Sequence, residues 1–241
     1  MKHYPINSLI LGNSESCVLF LHGWGGSINS FFNVAETISK NHKTILVDFY
    51  GFGKSKYPNV KLDSYNYAMQ LFLFLQAKGI KKLSIVAHSF GGRVAIILAS
   101  LFDIEIEKLV LVDSAGLKPR RGLSYYYKVF KYKFCKFLVK RKIFNSKNLL
   151  KYGSDEYKKL DNFQKQAYVK IVNQNLKYLL NKIESKTLLV WGELDKSTPM
   201  YMAKSLNKNI KNSRLYIYKN SGHFCYLENY LNFVHLLQSY L

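Results

Sequence analysis

Leu83-Ser84-Ile85-Val86-Ala87-His88-Ser89-Phe90-Gly91-Gly92 passes from an apolar run through a polar pair into a glycine-led helix. The segment LSIVA is apolar on both faces, as a buried parallel strand is. From Gly91 to Phe102 the apolar residues recur at helical spacing. A serine between two such elements sits on a tight strand-to-helix turn, where residues two positions away must be small to avoid clashes. Ala87 stands for the first glycine of a G-x-S-x-G pattern, and Gly91 keeps the second. A helix start also brings free N–H groups and its positive dipole end close to the hydroxyl. Ser89 is therefore a candidate nucleophile; the bland alternative is a serine in an ordinary loop.

Similar apolar runs recur on either side, at Val18–Leu21, Thr44–Val47, Leu109–Val112, Leu188–Trp191 and Leu215–Tyr218. Helical spacing marks Ser30–Lys40, Ser64–Lys78, Met200–Leu206 and Glu228–Leu241. The alternation predicts an α/β fold, a mostly parallel doubly wound sheet with helices on both faces. Ile6–Leu11 is expected to add an antiparallel strand. After Asp113-Ser114-Ala115-Gly116 the pattern changes. Leu123, Tyr126, Phe130, Phe134 and Phe137/Leu138 repeat at three- and four-residue intervals, in a stretch from Leu123 to Ile143 free of Gly and Pro. Helical pieces continue to Leu180. Residues 117–183 thus read as an inserted helical cap, and residues 1–116 and 184–241 as the core. Such a cap would lie over the sheet's C-terminal edge, where open parallel sheets bind ligands.

Three further motifs follow strands. His22-Gly23-Trp24-Gly25-Gly26 has glycines that let the backbone turn an N–H inward, so the N–H groups of Trp24 and Phe90 are candidate oxyanion-hole donors. Asp195 closes Trp191-Gly192-Glu193-Leu194-Asp195, and His223 lies in Ser221-Gly222-His223. Ser, then Asp, then His is one of the chain orders in which a nucleophile, an orienting acid and a base recur. Asp113 also follows a strand and is the reserve for the acid.

With HGWGG, DFYGFGKS (Asp48–Ser55), AHSFGG, WGELD and SGH at these spacings, the sequence resembles the α/β-hydrolase superfamily, in particular its capped group of serine esterases and related hydrolases. The resemblance runs over nearly the whole chain, although Leu117–Ile183 carries no family motif. It implies Ser89 as nucleophile, Asp195 as acid and His223 as base. It also implies cleavage of a carboxylic ester through an acyl-enzyme. Thioester, lysophospholipid and carbon–carbon bond cleavage share that constellation. The resemblance calls for no cofactor and no metal. A serine at this position argues against the relatives that use an aspartate nucleophile.

Neighbouring residues carry blander readings. Asp48 is expected to be a structural turn residue, and its glycines lack the GK[ST] ending of a phosphate loop. His22 and His88 are expected to pack and orient, Arg93 to form a surface or core-edge ion pair in preference to anchoring a substrate carboxylate, and Cys225 to be buried. His3, His42 and His235 show no metal-ligand clustering. Three cysteines in 241 residues make no disulfide framework. The amino-terminal residues lack the apolar core of a secretory signal, and the default expectation is a soluble cytoplasmic protein.

The composition holds 36 basic and 15 acidic residues, a formal net charge of +21. Eighteen basic and three acidic residues fall between Leu117 and Ile183, so +15 of the excess belongs to the expected cap. Lys118 to Lys142 holds ten basic residues and no acid, interleaved with Tyr and Phe. One reading is a solvated cationic face whose aromatic stripe packs on the sheet domain. Others are peripheral contact with an anionic membrane, or attraction of an acidic or acyl-carrier-linked small-molecule ester. No nucleic-acid motif accompanies the charge, so no nucleic acid partner is expected.

Overall fold

The computed structural model describes residues 5–58, 60–141, 143–145 and 162–241. Seven strands form one sheet: β1 (Ser8–Leu11), β2 (Cys17–Leu21), β3 (Lys43–Val47), β4 (Lys82–His88), β5 (Glu105–Val112), β6 (Lys186–Gly192) and β7 (Ser213–Tyr218). Their spatial order is β1-β3-β2-β4-β5-β6-β7. Every neighbouring pair is parallel except β1 with β3. The α/β expectation and the antiparallel amino-terminal strand both hold.

Side-chain alternation explains why these strands read as unbroken apolar runs. Leu19, Leu21, Ile85, Ala87, Leu109, Leu111, Leu189 and Trp191 point to one face. Val18, Phe20, Val86, Val110, Val112, Leu188 and Val190 point to the other. Both faces are covered, so neither parity can be polar. On the first face pack α2 (Ser64–Ala77), α3 (Phe90–Leu101) and the later helix Met200–Asn209. On the second pack α1 (Phe32–Ile38) and the carboxy-terminal helix Tyr230–Tyr240.

Most element boundaries lie a residue or more from expectation, and two of the shifts have a clear local reason. β5 begins at Glu105, because Glu105 and Glu107 alternate outward and share Lys82 at 3.0 and 3.1 Å, which breaks the apolar run. The helix expected from Ser30 starts as a 3-10 turn, Ile28–Ser30, closed by a capping box between Ser27 and Ser30.

In the segment expected to form the cap, α4 spans Leu123–Lys140 and α5 spans Asn162–Asn173. The helical pieces expected between them fall mostly on 146–161, outside the described residues. A 3-10 turn, Lys177–Lys182, buries Leu179 and Leu180 in the same cluster as α3. The aromatic stripe of α4 does not pack inward: Phe130 is 66% and Leu123 89% exposed, and Tyr126, Tyr127, Phe134 and Phe137 are exposed with them. Only Cys135 on this helix is buried. The remaining helices, in chain order, are α6 (Met200–Asn209), α7 (Cys225–Glu228) and α8 (Tyr230–Tyr240).

Candidate active site

The chain leaves β2 toward β3 on one side and returns through β4 on the other, so the strand order reverses between β2 and β4. A crevice opens at such a reversal, beyond the strands' carboxyl ends. Trp24 lies just past β2 and Ser89 just past β4.

Ser89 adopts φ 50° and ψ −111°, a conformation that non-glycine residues rarely take. Strain of this kind costs about 1–3 kcal/mol and persists only where the surroundings impose it. Here the Ser89 N–H donates to the Val112 carbonyl at 3.0 Å, while the Ser89 carbonyl accepts from Gly92 and Ala115. A Cβ at Gly91 would sit 2.5 Å from the Leu21 carbonyl oxygen, so the turn presses directly on β2. That contact is the physical demand behind the small residue expected at this position.

His223 Nε2 lies 3.0 Å from Ser89 Oγ, and His223 Nδ1 lies 2.9 Å from Asp195 Oδ2. The Asp195 carboxylate is buried, and Oδ1 accepts the N–H groups of Ser197 and Thr198 at 2.7 and 3.0 Å. Thr198 Oγ1 lies 2.5 Å from Oδ2. Burial pushes the Asp195 carboxyl up, but the bonds from His223 and Thr198 outweigh it and hold the pKa below its ordinary value. The carboxylate is thus ionised, and it favours the tautomer with hydrogen on Nδ1. Nε2 is left free to accept from the Ser89 hydroxyl.

Two further histidines brace this arrangement. His88 is fully buried and its Nε2 donates to the His223 carbonyl at 2.8 Å. Desolvation, reinforced by the nearby His223, lowers its pKa to about 3, so it stays neutral. His22 accepts the Phe49 N–H at Nε2 and donates from Nδ1 to the Gly23 carbonyl, at 3.1 and 2.7 Å. Burial lowers its pKa to about 4. It ties the loop carrying Trp24 to the end of β3. Gly26 N–H closes a turn onto the same Gly23 carbonyl at 3.0 Å. Asp48 holds this region from below, accepting from Asn7 Nδ2, Ile28 N–H and Lys54 N–H at 2.6, 2.7 and 2.8 Å. These positions match the orienting and turn roles expected of all three residues.

Asp113 does not reach His223 by any hydrogen bond among the described residues. Its carboxylate accepts the Gly192 N–H at 2.8 Å and the Cys225 N–H at 3.2 Å, stitching β6 to the segment that follows His223. Burial raises its pKa to about 6. Cys225 is buried beside it, and burial pushes its thiol well above the ordinary value. Arg93 is buried and donates from Nη1 to the Gln174 carbonyl at 2.8 Å, so a backbone tether replaces the ion pair expected of it.

Trp24 stacks edge-on against Phe52, Phe90 and Tyr168, with ring centroids 4.9, 5.2 and 5.2 Å apart. Tyr168 belongs to α5, so this helix forms an aromatic wall beside the loop. Sequence reasoning missed Tyr168, because a tyrosine in a motif-free helix carries no signal of its own. It also missed Thr198, although Asp195-x-x-Thr198 after a strand is a readable pattern for a carboxylate satisfied by its own following N–H groups.

The chain belongs to the alpha/beta hydrolase fold family, whose model matches residues 17–230. It is a hydrolase by that membership. It is 25% identical over 243 residues to 2-hydroxy-6-oxo-6-phenylhexa-2,4-dienoate hydrolase of Comamonas testosteroni, covering 90% of this chain and 84% of that protein. It is also 25% identical over 256 residues to the pimeloyl-[acyl-carrier protein] methyl ester esterase of Wigglesworthia glossinidia brevipalpis, covering 96% of each. Among solved structures, an esterase from Exiguobacterium antarcticum superposes with a TM-score of 0.77 at 22% identity, over 98% of this chain and 94% of that one.

Proposed function

We propose that the protein is a serine hydrolase that cleaves a small-molecule carboxylic ester through an acyl-enzyme. The observation that carries this reading is the hydrogen-bonded series Ser89–His223–Asp195, ending on a serine with strained backbone at the head of a helix. In the first half-reaction the Ser89 hydroxyl passes its proton to His223 Nε2 as Oγ bonds to the ester carbonyl carbon. Asp195 stabilises the imidazolium that forms. The developing oxyanion accepts the N–H groups of Trp24 and Phe90. Phe90 opens α3, so its N–H has no partner within the helix. Each such donor is worth about 2.7–4 kcal/mol in the transition state. His223 then protonates the departing alkoxide as the carbonyl–oxygen bond breaks, and water repeats the sequence on the acyl-enzyme to release the acid.

Residues 117–183 act in this reading as the cap, with α5 and its Tyr168 bordering the pocket. The test is a fluorophosphonate probe with intact-mass detection, alongside aryl esters of graded chain length. Ser89 should be labelled in the folded protein, and Ser89→Ala should abolish labelling and lower kcat on the order of 10⁶-fold. Labelling that persists in Ser89→Ala, or full esterase activity in that variant, overturns the proposal. Hydrolysis of a vinylogous diketone in preference to every ester would move the assignment to carbon–carbon cleavage by the same residues.

A further inference from the structure

We infer that α4 is a docking helix that lies flat on an anionic lipid bilayer with its aromatic face immersed. The helix holds 18 residues, about 27 Å at 1.5 Å per residue. At 100° per residue, Leu123, Tyr126, Tyr127, Phe130, Phe134 and Phe137 fall on one side, and all six are exposed. Cys135 is buried on the opposite side, with Val129, Tyr132 and Val139 half-buried around it. Packing therefore sets the rotation of the helix and turns the aromatic side outward.

Charge completes the pattern. Lys131 and Lys133 border the aromatic side left and right, Arg120 and Arg121 precede the helix, and Lys140 and Arg141 end it. Several cations sit directly over exposed rings: Lys131 over Tyr127 at 4.7 Å, Arg121 over Tyr125 at 4.2 Å and Arg141 over Phe137 at 5.2 Å. An interfacial helix needs this combination of rings for the acyl boundary and cations for the headgroups. Among the described residues no helix is long and apolar enough to cross a membrane, so the fit is to lying on a bilayer.

Other occupants match less of the surface. A second copy would bring its own unbroken set of cations against this one, with no acid from Lys118 to Lys142 to offset them. An acidic soluble protein would answer the charge and leave six apolar side chains without a partner. An anionic bilayer answers both.

Docking of α4 on a bilayer needs no chemistry at Ser89, so its test uses full-length protein carrying Ser89→Ala. Flotation with vesicles of phosphatidylcholine alone, or with added phosphatidylglycerol, should show about tenfold or greater preference for the anionic vesicles, weakened by salt. Phe130→Ser with Phe134→Ser should lower capture about tenfold. The same pair in the otherwise wild-type enzyme should leave hydrolysis of a soluble aryl ester unchanged. Lys131→Glu with Lys133→Glu repeats the test on two exposed side chains. Equal capture by both vesicles overturns the inference, as does indifference to both double variants. So does a dimer in light scattering that the phenylalanine pair dissolves while capture persists. Failure of the fluorophosphonate experiment would leave every one of these outcomes readable.

Discussion

Asp113 and Asp195 both follow strands of the same sheet and both are buried, yet their surroundings ask opposite things of a carboxylate. Asp195 gathers donors from His223, Ser197 and Thr198, which hold it ionised. Asp113 answers two backbone N–H groups and is pushed up to about 6 by burial. The reserve candidate from the sequence is thus a strut between β6 and the His223 segment, and its chemistry differs from that of an orienting acid. Amide substitution separates the two. Asp195→Asn is expected to lower kcat about 10⁴-fold, because an amide no longer favours the productive imidazole tautomer. Asp113→Asn should keep kcat within about tenfold and cost about 1–3 kcal/mol of stability, since one backbone donor loses its acceptor. Steady-state rates with thermal melts on both variants check this, and a reversed order would pass the orienting role to Asp113.

At the scale of elements, the sheet and its helices were legible because each buried strand feeds both faces, so periodicity and covering helices told the same story. Ser89, Asp195 and His223 were legible because each stands directly past a strand, where spacing fixes the location. The cap was not. α4 shows a clear helical period, but the period alone does not say whether its apolar side faces the core or solvent; only the burial of Cys135 decides that. The anchoring of α5 was hidden for another reason, since its bonds join residues about 80 or more positions apart in the chain, one of them through a backbone carbonyl. Arg93 holds the Gln174 carbonyl, Ser64 Oγ donates to Gln174 Oε1 at 2.6 Å, and Lys170 pairs with Asp63 at 2.7 Å. Arg93→Met tests this tether. Removing a buried guanidinium relieves its desolvation, so the global melt should shift little. The docking of α5 should nevertheless loosen by about 1–2 kcal/mol. Protease cleavage between Gly116 and Gln174 should quicken about tenfold while Ser89 remains reactive to the probe. Unchanged cleavage would mean that Ala167 and Ile171, buried residues of α5 itself, hold the element without Arg93.

For the whole molecule, the same two histidines that brace the site set its response to acid. His22 and His88 have folded pKa values of about 4 and about 3 against 6.5 when exposed. Below 6.5 the unfolded chain takes up protons that the folded chain refuses, so the stability they preserve is complete above that pH and is lost on acidification. Asp113 works in the opposite sense, because its folded pKa of about 6 exceeds the ordinary 3.8 and the folded chain binds the extra proton between those values. Two histidines against one aspartate leave a net slope of about 1.4 kcal/mol per pH unit between pH ~4 and ~6. The formal charge of +21 adds a second contribution, since protonating any of the 15 carboxylates raises self-repulsion further. Salt distinguishes the two, for it screens repulsion between surface charges and barely touches the desolvation of a buried imidazole. The melting temperature should therefore fall from pH 7 to 4.5 at low ionic strength, recover in part with added salt, and keep a residual acid limb. His88→Gln preserves a donor toward the His223 carbonyl and removes one titrating group. It should flatten that residual limb by about 1.4 kcal/mol per pH unit. If salt alone abolishes the limb, the acid sensitivity belongs to the cationic surface, and the buried histidines play no part in it.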